Sequence, residues 1–108
     1  MGIGGLRRTA TVADFFERTV IPHVCGNAET ALGLAATLQV AGAEAAMPMV
    51  EYPYDPPVLT PSTTQPLAAD PILVGDDGCV PVPDGPGLGI DLDGEWIDAH
   101  GEVVWTAG

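Results

Sequence analysis

Thr19-Val20-Ile21-Pro22-His23-Val24 and Met47-Pro48-Met49-Val50-Glu51-Tyr52 are the two stretches on which the fold turns. Both are short apolar runs rich in β-branched or flexible hydrophobic residues, and both are interrupted by proline, so each reads as a short buried strand. Each delivers a titratable side chain near its carboxyl end, His23 in the first and Glu51 in the second. Working outward, Leu6, Ala10, Ala13 and Phe16 recur at helical spacing and predict a first helix over 6–17. Gly26-Asn27 is a start signal with Asn27 as N-cap, and Leu32, Ala35, Leu38 and Ala41 carry a second helix to Gly42. Alanine-rich and apolar on more than one side, this second helix suits packing against a sheet. The order helix, strand, helix, strand predicts an α/β unit, because the intervening helix is long enough for a right-handed parallel crossover.

Beyond Pro53 the texture changes. Most of the eleven prolines lie from here on, which excludes long helices. Short strands are predicted at 72–74, 80–82 and 89–92, the first two joined by the turn Gly75-Asp76-Asp77-Gly78. One helical turn is predicted at 95–99, and 101–108 reads as a flexible tail. The organisation expected is thus 1–53, 54–100 and 101–108.

The chain has 108 residues and a formal net charge of −12, with 46% hydrophobic and 17% charged residues, which supports a globular unit and excludes a disordered one. Its three cations are all arginine, Arg7, Arg8 and Arg18; without lysine there is no Schiff-base or P-loop chemistry in these residues. The charge is lopsided. Residues 1–50 hold four acids against three arginines, whereas 51–108 hold eleven acids and no base. Nucleic acid and anionic membranes are repelled by such a surface, since both are bound mainly by basic neutralisation. An acidic, lysine-free surface also suits a salt-rich, halophilic cytoplasm. Cys25 and Cys79 form no C-x-x-C pattern and read as a reduced pair. No apolar run is long enough for a membrane span and no signal-peptide pattern opens the chain, so a cytoplasmic protein is expected.

His23 and Glu51 lie 28 residues apart. On adjacent parallel strands they would emerge on one face and flank one small substrate, the histidine moving a proton near neutral pH and the carboxyl group bonding to an oxyanion. The plain alternative is an ordinary loop histidine and an exposed glutamate. Other residues read as structural. Phe15 and Phe16 suit helix packing, Met47 and Met49 flank the second strand, and Tyr52 and Tyr54 pack a loop or reach a substrate beside Glu51. Cys25 is too near His23 in sequence to act as its thiolate partner. Asp76-Asp77 and the acids from Asp91 to Glu95 read as solvated surface, the latter too short for a calcium loop. Trp96, His100 and Trp105 show no site spacing.

Ile21-Pro22-His23-Val24-Cys25-Gly26, the run Ala31 to Gln39, Val50-Glu51-Tyr52, then Gly78 and Val82-Pro83-Asp84-Gly85-Pro86-Gly87-Leu88-Gly89-Ile90, taken in order, resemble the C-terminal part of the enolase superfamily. The likeness is nearest to the mandelate racemase and sugar-acid dehydratase branch and runs from about Gly4 to Asp98. It implies a partial (β/α)8 TIM barrel, with 19–24 and 47–52 as strands seven and eight, followed by a Pro/Gly-rich capping segment. It implies that His23 is the base or acid that moves the proton α to a carboxylate or assists loss of a β-hydroxyl. It implies that Glu51 hydrogen-bonds the substrate carboxylate as an enediolate forms, and that Pro86-Gly87-Leu88-Gly89 is a backbone signature.

Such enzymes bind Mg²⁺ with acids on earlier strands and use a lysine base. The resemblance therefore implies that this chain alone binds no cofactor, that Mg²⁺ belongs to the complete enzyme, and that these residues form a truncated, inactive piece. The partner it implies is a missing N-terminal barrel portion or its separate chain, with a carboxylate substrate bound once the barrel is complete. A split enzyme and a non-enzymic acidic binding module are the alternatives. Alone, open strand edges predict poor solubility or loose packing.

Overall fold

The computed structural model describes residues 2–24, 30–103 and 106. Among the described residues four helices occur in chain order: α1 (Gly2–Phe15), α2 (Thr30–Ala41), α3 (Pro61–Thr64) and α4 (Gly94–His100). Helix α1 begins earlier than its apolar spacing predicts and stops at a left-handed residue, Glu17, with φ of 52°. There the Arg18 N–H reaches the Ala13 carbonyl at 2.8 Å and the Glu17 N–H reaches Asp14 at 2.9 Å, the paired closure that ends many helices. The N-cap predicted at Asn27 lies outside the described residues, as do Cys25 and Trp105.

Helix α2 is the hub. Leu34, Ala35 and Leu38 pack with Val24 and Ile72 on one side. Val40, roughly half a turn away at 100° per residue, joins Ala10 of α1 and Met47 in a second cluster. Burial on two sides is why this helix has no polar face. Arg7 of α1 adds a surface ion pair to Glu44 at 3.1 Å, of a kind worth at most about 1 kcal/mol.

The expected partial TIM barrel is not formed. Among the described residues there is no strand and no sheet, and isolated bridges join only Asp55 to Leu59 and Ala68 to Leu92. The segments 19–24 and 47–52, expected as strands seven and eight, do run side by side in the same direction. They are tied by the Val20 N–H to the Ala46 carbonyl at 2.8 Å and the Glu51 N–H to the Pro22 carbonyl at 3.2 Å. Between those two bonds one chain advances two residues and the other five, so no register repeats. The physical reason lies in the segments themselves: Pro22 and Pro48 lack the N–H that a ladder needs, and a pair with no third strand is marginal.

The strands expected at 72–74, 80–82 and 89–92 are absent: Pro71, Pro81 and Pro83 remove donors in or beside the first two, and 89–92 is joined to its neighbour only by the isolated Ala68–Leu92 bridge and the Ala69 N–H to Asp91 carbonyl bond. Their predicted turn is present: Gly78 N–H bonds the Gly75 carbonyl at 2.9 Å, and the Asp77 carboxylate accepts from the Cys79 N–H at 2.9 Å. The short α3 was not anticipated, although Thr60-Pro61 is a helix-start signal. The one turn expected near 95–99 is α4, started by the Asp93 side chain accepting from the Trp96 N–H at 3.0 Å.

Side chains do what a sheet would have done for the second half. Gln39 of α2 donates to the Pro83 and Leu88 carbonyls at 2.6 and 3.2 Å, holding the Pro/Gly loop against the helix. Within that loop Gly89 has φ of +79°, and a Cβ there would meet Pro83 at 2.6 Å, so backbone geometry alone demands glycine. Gln65, 2% exposed, accepts from the Ile72 N–H at 2.8 Å and donates to the Ile72 carbonyl at 3.0 Å. No helix among the described residues is long and apolar enough to cross a membrane.

Candidate functional site

The paired segments set the site. Buried Pro22 and Val24 and half-buried Val50 face inward, and the intervening Ile21, His23, Met49 and Glu51 point to solvent. The backbone bond from Glu51 to Pro22 brings the two titratable residues to the same level. There the imidazole Nδ1 of His23 donates to the Glu51 carboxylate Oε2. Sequence spacing placed these residues on either side of a substrate; the structure brings them into direct contact. Both are open to water, with side chains 74% and 52% exposed.

A cleft of about 350 Å³ adjoins the pair, lined by His23, Val24, Glu51, Tyr52, Pro53 and Leu59. Its floor is firm because Tyr52 turns its phenol away from the cleft. That hydroxyl donates to the Ile72 carbonyl at 2.7 Å and receives the Gln65 amide at 3.2 Å. Burial pushes the Tyr52 phenol above its ordinary value, partly countered by the Gln65 hydrogen bond. Tyr52 is thus a packing residue with its polar end satisfied inside, whereas Tyr54 is exposed. Gln65, which seats Tyr52, had no sequence signal: a lone glutamine beside Pro66 belongs to no periodic pattern.

With Nδ1–H given to a carboxylate, the lone pair of Nε2 is left for the substrate side, the arrangement a general base needs. A carboxylate that orients imidazole also stabilises its protonated form after proton uptake. The described residues do not supply a metal centre: no group of three or more His, Cys, Asp or Glu is placed to hold an ion. Asp77 and Asp93, from the two acid clusters, instead cap a turn and a helix.

The remaining expectations divide. Met47 is buried and Met49 exposed, and Cys79 is a free, exposed thiol. Phe15 and Phe16, expected in helix packing, are 81% and 63% exposed and touch each other edge to face at 5.2 Å. They lie where α1 ends, past its buried face. Trp96 and His100 stack at 4.4 Å, and the His100 Nδ1 donates to the Trp96 carbonyl at 2.9 Å, an i,i+4 pair closing α4.

No curated protein and no solved structure matches the chain. A protein-family profile described as Enolase C-terminal domain-like matches residues 1–96, which takes in His23, Glu51 and the Pro/Gly loop. By that match, over nearly the whole length, the chain belongs to the enolase C-terminal domain-like family.

Proposed function

We propose that His23 and Glu51 form the proton-transfer pair of an enolase-superfamily reaction, removing or delivering a proton α to the carboxylate of a hydroxy or sugar acid. The racemase and acid-sugar dehydratase branch is the nearest fit, through the residues around His23, Glu51 and Gly85–Gly89. The observation that carries the reading is the His23–Glu51 contact beside an open cleft. His23 exchanges the proton through Nε2. Glu51 holds the ring in that tautomer as a carboxylate; its half-exposed side chain can turn to the substrate carboxylate and donate to it once Glu51 itself carries a proton.

The chain does not carry the reaction alone on this reading. A carboxylate losing its α-proton gains a second negative charge, and stabilising it is worth several kcal/mol in such sites. The chain has no lysine and its described residues hold no group of three or more metal-ligating side chains for that task, so on this reading a further polypeptide, covalently joined or separate, supplies it. The surroundings proposed are a cytoplasmic, salt-rich one, consistent with the charge of −12.

The test is α-proton exchange of hydroxy acids in D₂O, followed by NMR with Mg²⁺. The isolated chain should be silent, and the chain combined with the rest of a family enzyme should exchange. In the active combination His23→Asn should abolish exchange and leave Mg²⁺ binding intact. Unchanged exchange in His23→Asn, or loss of metal binding, overturns the role. Silence in every combination favours a non-enzymic binding module.

A further inference from the structure

The outer face of α1 carries a groove of about 650 Å³ whose lining includes Arg8, Val12, Ala13, Phe16 and Arg18. Arg7 is engaged by Glu44, which leaves Arg8 and Arg18 as the cations flanking an apolar strip of Val12, Phe15 and Phe16, all exposed. Across the molecule a second strip has the opposite composition. Leu73 and Val74, 52% and 43% exposed, are flanked along the chain by exposed Asp70 before them and exposed Asp76 and Asp77 after them. The groove is cation, apolar, cation; the 70–77 segment reads along the chain as acid, apolar, acid.

These two strips cannot close on each other within one chain. Helix α1 packs on the Val40 side of α2, and Ile72, at the root of the second strip, packs on the Leu34 side. The chain also exposes 7379 Å², roughly 1,700 Å² more than a compact monomer of 11.1 kDa would. A standard interface removes about 800 Å² from each partner, so the surplus is of the size that an interface covers.

We propose that the α1 face docks the 70–77 segment of a second copy of this chain, in a head-to-tail contact. The arginines meet Asp70 and Asp76, and the Phe15–Phe16 pair covers Leu73 and Val74. Because the two surfaces differ, each copy offers one of each, and assembly grows into a ring or a short filament instead of stopping at a two-fold dimer. The occupant follows from charge: Arg7, Arg8 and Arg18 are the only Lys or Arg of a chain whose residues 51–108 carry eleven acids and neither Lys nor Arg. Salt alone does not decide the matter, since it screens both this attraction and the general repulsion between two copies of charge −12.

Charge exchange does decide it. Sedimentation velocity of the full chain across a concentration series should show association. Arg8→Glu/Arg18→Glu, or Asp70→Arg/Asp76→Arg, should each weaken it by about tenfold or more through like-charge juxtaposition. Asp77 is left alone because it holds the turn at Cys79. An equal mixture of the two variants should associate again, because each reversed face finds its complement. Wild-type chain that stays monomeric at every concentration, variants that associate like wild type, or a mixture that fails to recover would each overturn the proposal. If a reversal unfolds the chain by circular dichroism, Phe15→Ser tests the same contact from a side chain with no buried packing; undiminished association in that variant overturns it.

Discussion

Residues 2–53 and 54–103 are held together by different means. In the first, two helices and two extended segments close over apolar side chains, and Leu34, Ala35 and Ala10 are wholly removed from water. In the second, helix is limited to α3 and α4, and apolar cover is thin: Leu67, Ala68 and Ile72 are its buried hydrophobic residues. Order there comes from polar side chains that grip main-chain groups, with Gln39, Gln65 and Tyr52 taking the carbonyls of Pro83, Leu88 and Ile72. The lesson is that a proline-rich chain unable to form ladders still has to satisfy its buried backbone, and side-chain amides are the available substitute. The candidate site sits at the junction: His23 and Glu51 come from the first region, and Tyr52, beneath them, is anchored in the second.

The contrast can be broken most severely from the first region. Leu34→Ala should cost about 3 kcal/mol, the lost transfer energy plus a cavity at the centre of the Val24, Ala35, Leu38 and Ile72 cluster. Chemical denaturation would measure it, and a loss below about 1 kcal/mol would mean that α2 is not the hub. Next comes Gln65→Ala, expected to cost about 2 kcal/mol because the Ile72 N–H loses its partner in a buried place. Hydrogen exchange should show that loss confined to the neighbourhood of 60–75; exchange raised equally along α1 and α2 would erase the distinction between the two regions.

Tyr52→Phe should cost about 1 kcal/mol at neutral pH, since the Ile72 carbonyl keeps its bond from Gln65. Its pH dependence has a definite sign. The folded-state pKa is raised by burial, so the contribution of the protonated phenol is fully present below the ordinary value of 10.0 and is lost as pH rises through the raised value. Alkaline unfolding should therefore be shallower in Tyr52→Phe than in wild type, and identical profiles would mean that Tyr52 is not seated in the interior. The smallest effect, and the one stabilising change, is Glu17→Gly. It relieves a non-glycine residue at φ of 52° and should raise stability by at most about 1 kcal/mol in thermal unfolding.

Helix α2 was legible because Leu32, Ala35, Leu38 and Ala41 recur in a long run free of proline, although Leu32 is exposed and Leu34, outside that pattern, is buried; α1 was legible because Leu6 and Ala10 share a face. Phe16 was misread from that same spacing, as α1 ends at Phe15 and the periodicity runs on past the helix. The strands failed because β-branched composition measures fitness for a pleated surface and not the presence of a partner. Val20-Ile21 and Met49-Val50 have that composition, yet Pro22 and Pro48 deny the ladder its donors. The nearness of His23 to Glu51 was legible as two acid–base residues each ending an apolar run. Their direct contact was not, because it depends on how the two backbones slide past one another.

By itself the sequence determined the family, the two main helices, the glycine turn at Gly87–Gly89, the polarity of charge between the halves and the identity of the titratable pair. Those features are local: periodicity, φ preference and residue type act over a few neighbours. Tertiary structure alone decided that the extended segments pair without forming a sheet, that Gln39 and Gln65 hold the second half in place, and that the His23 ring gives its Nδ1 proton to Glu51. Each of these depends on groups far apart in sequence, Gln39 and Leu88 or His23 and Glu51, whose meeting is set by the burial of α2 between two cores and has no signature in the spacing of the residues themselves.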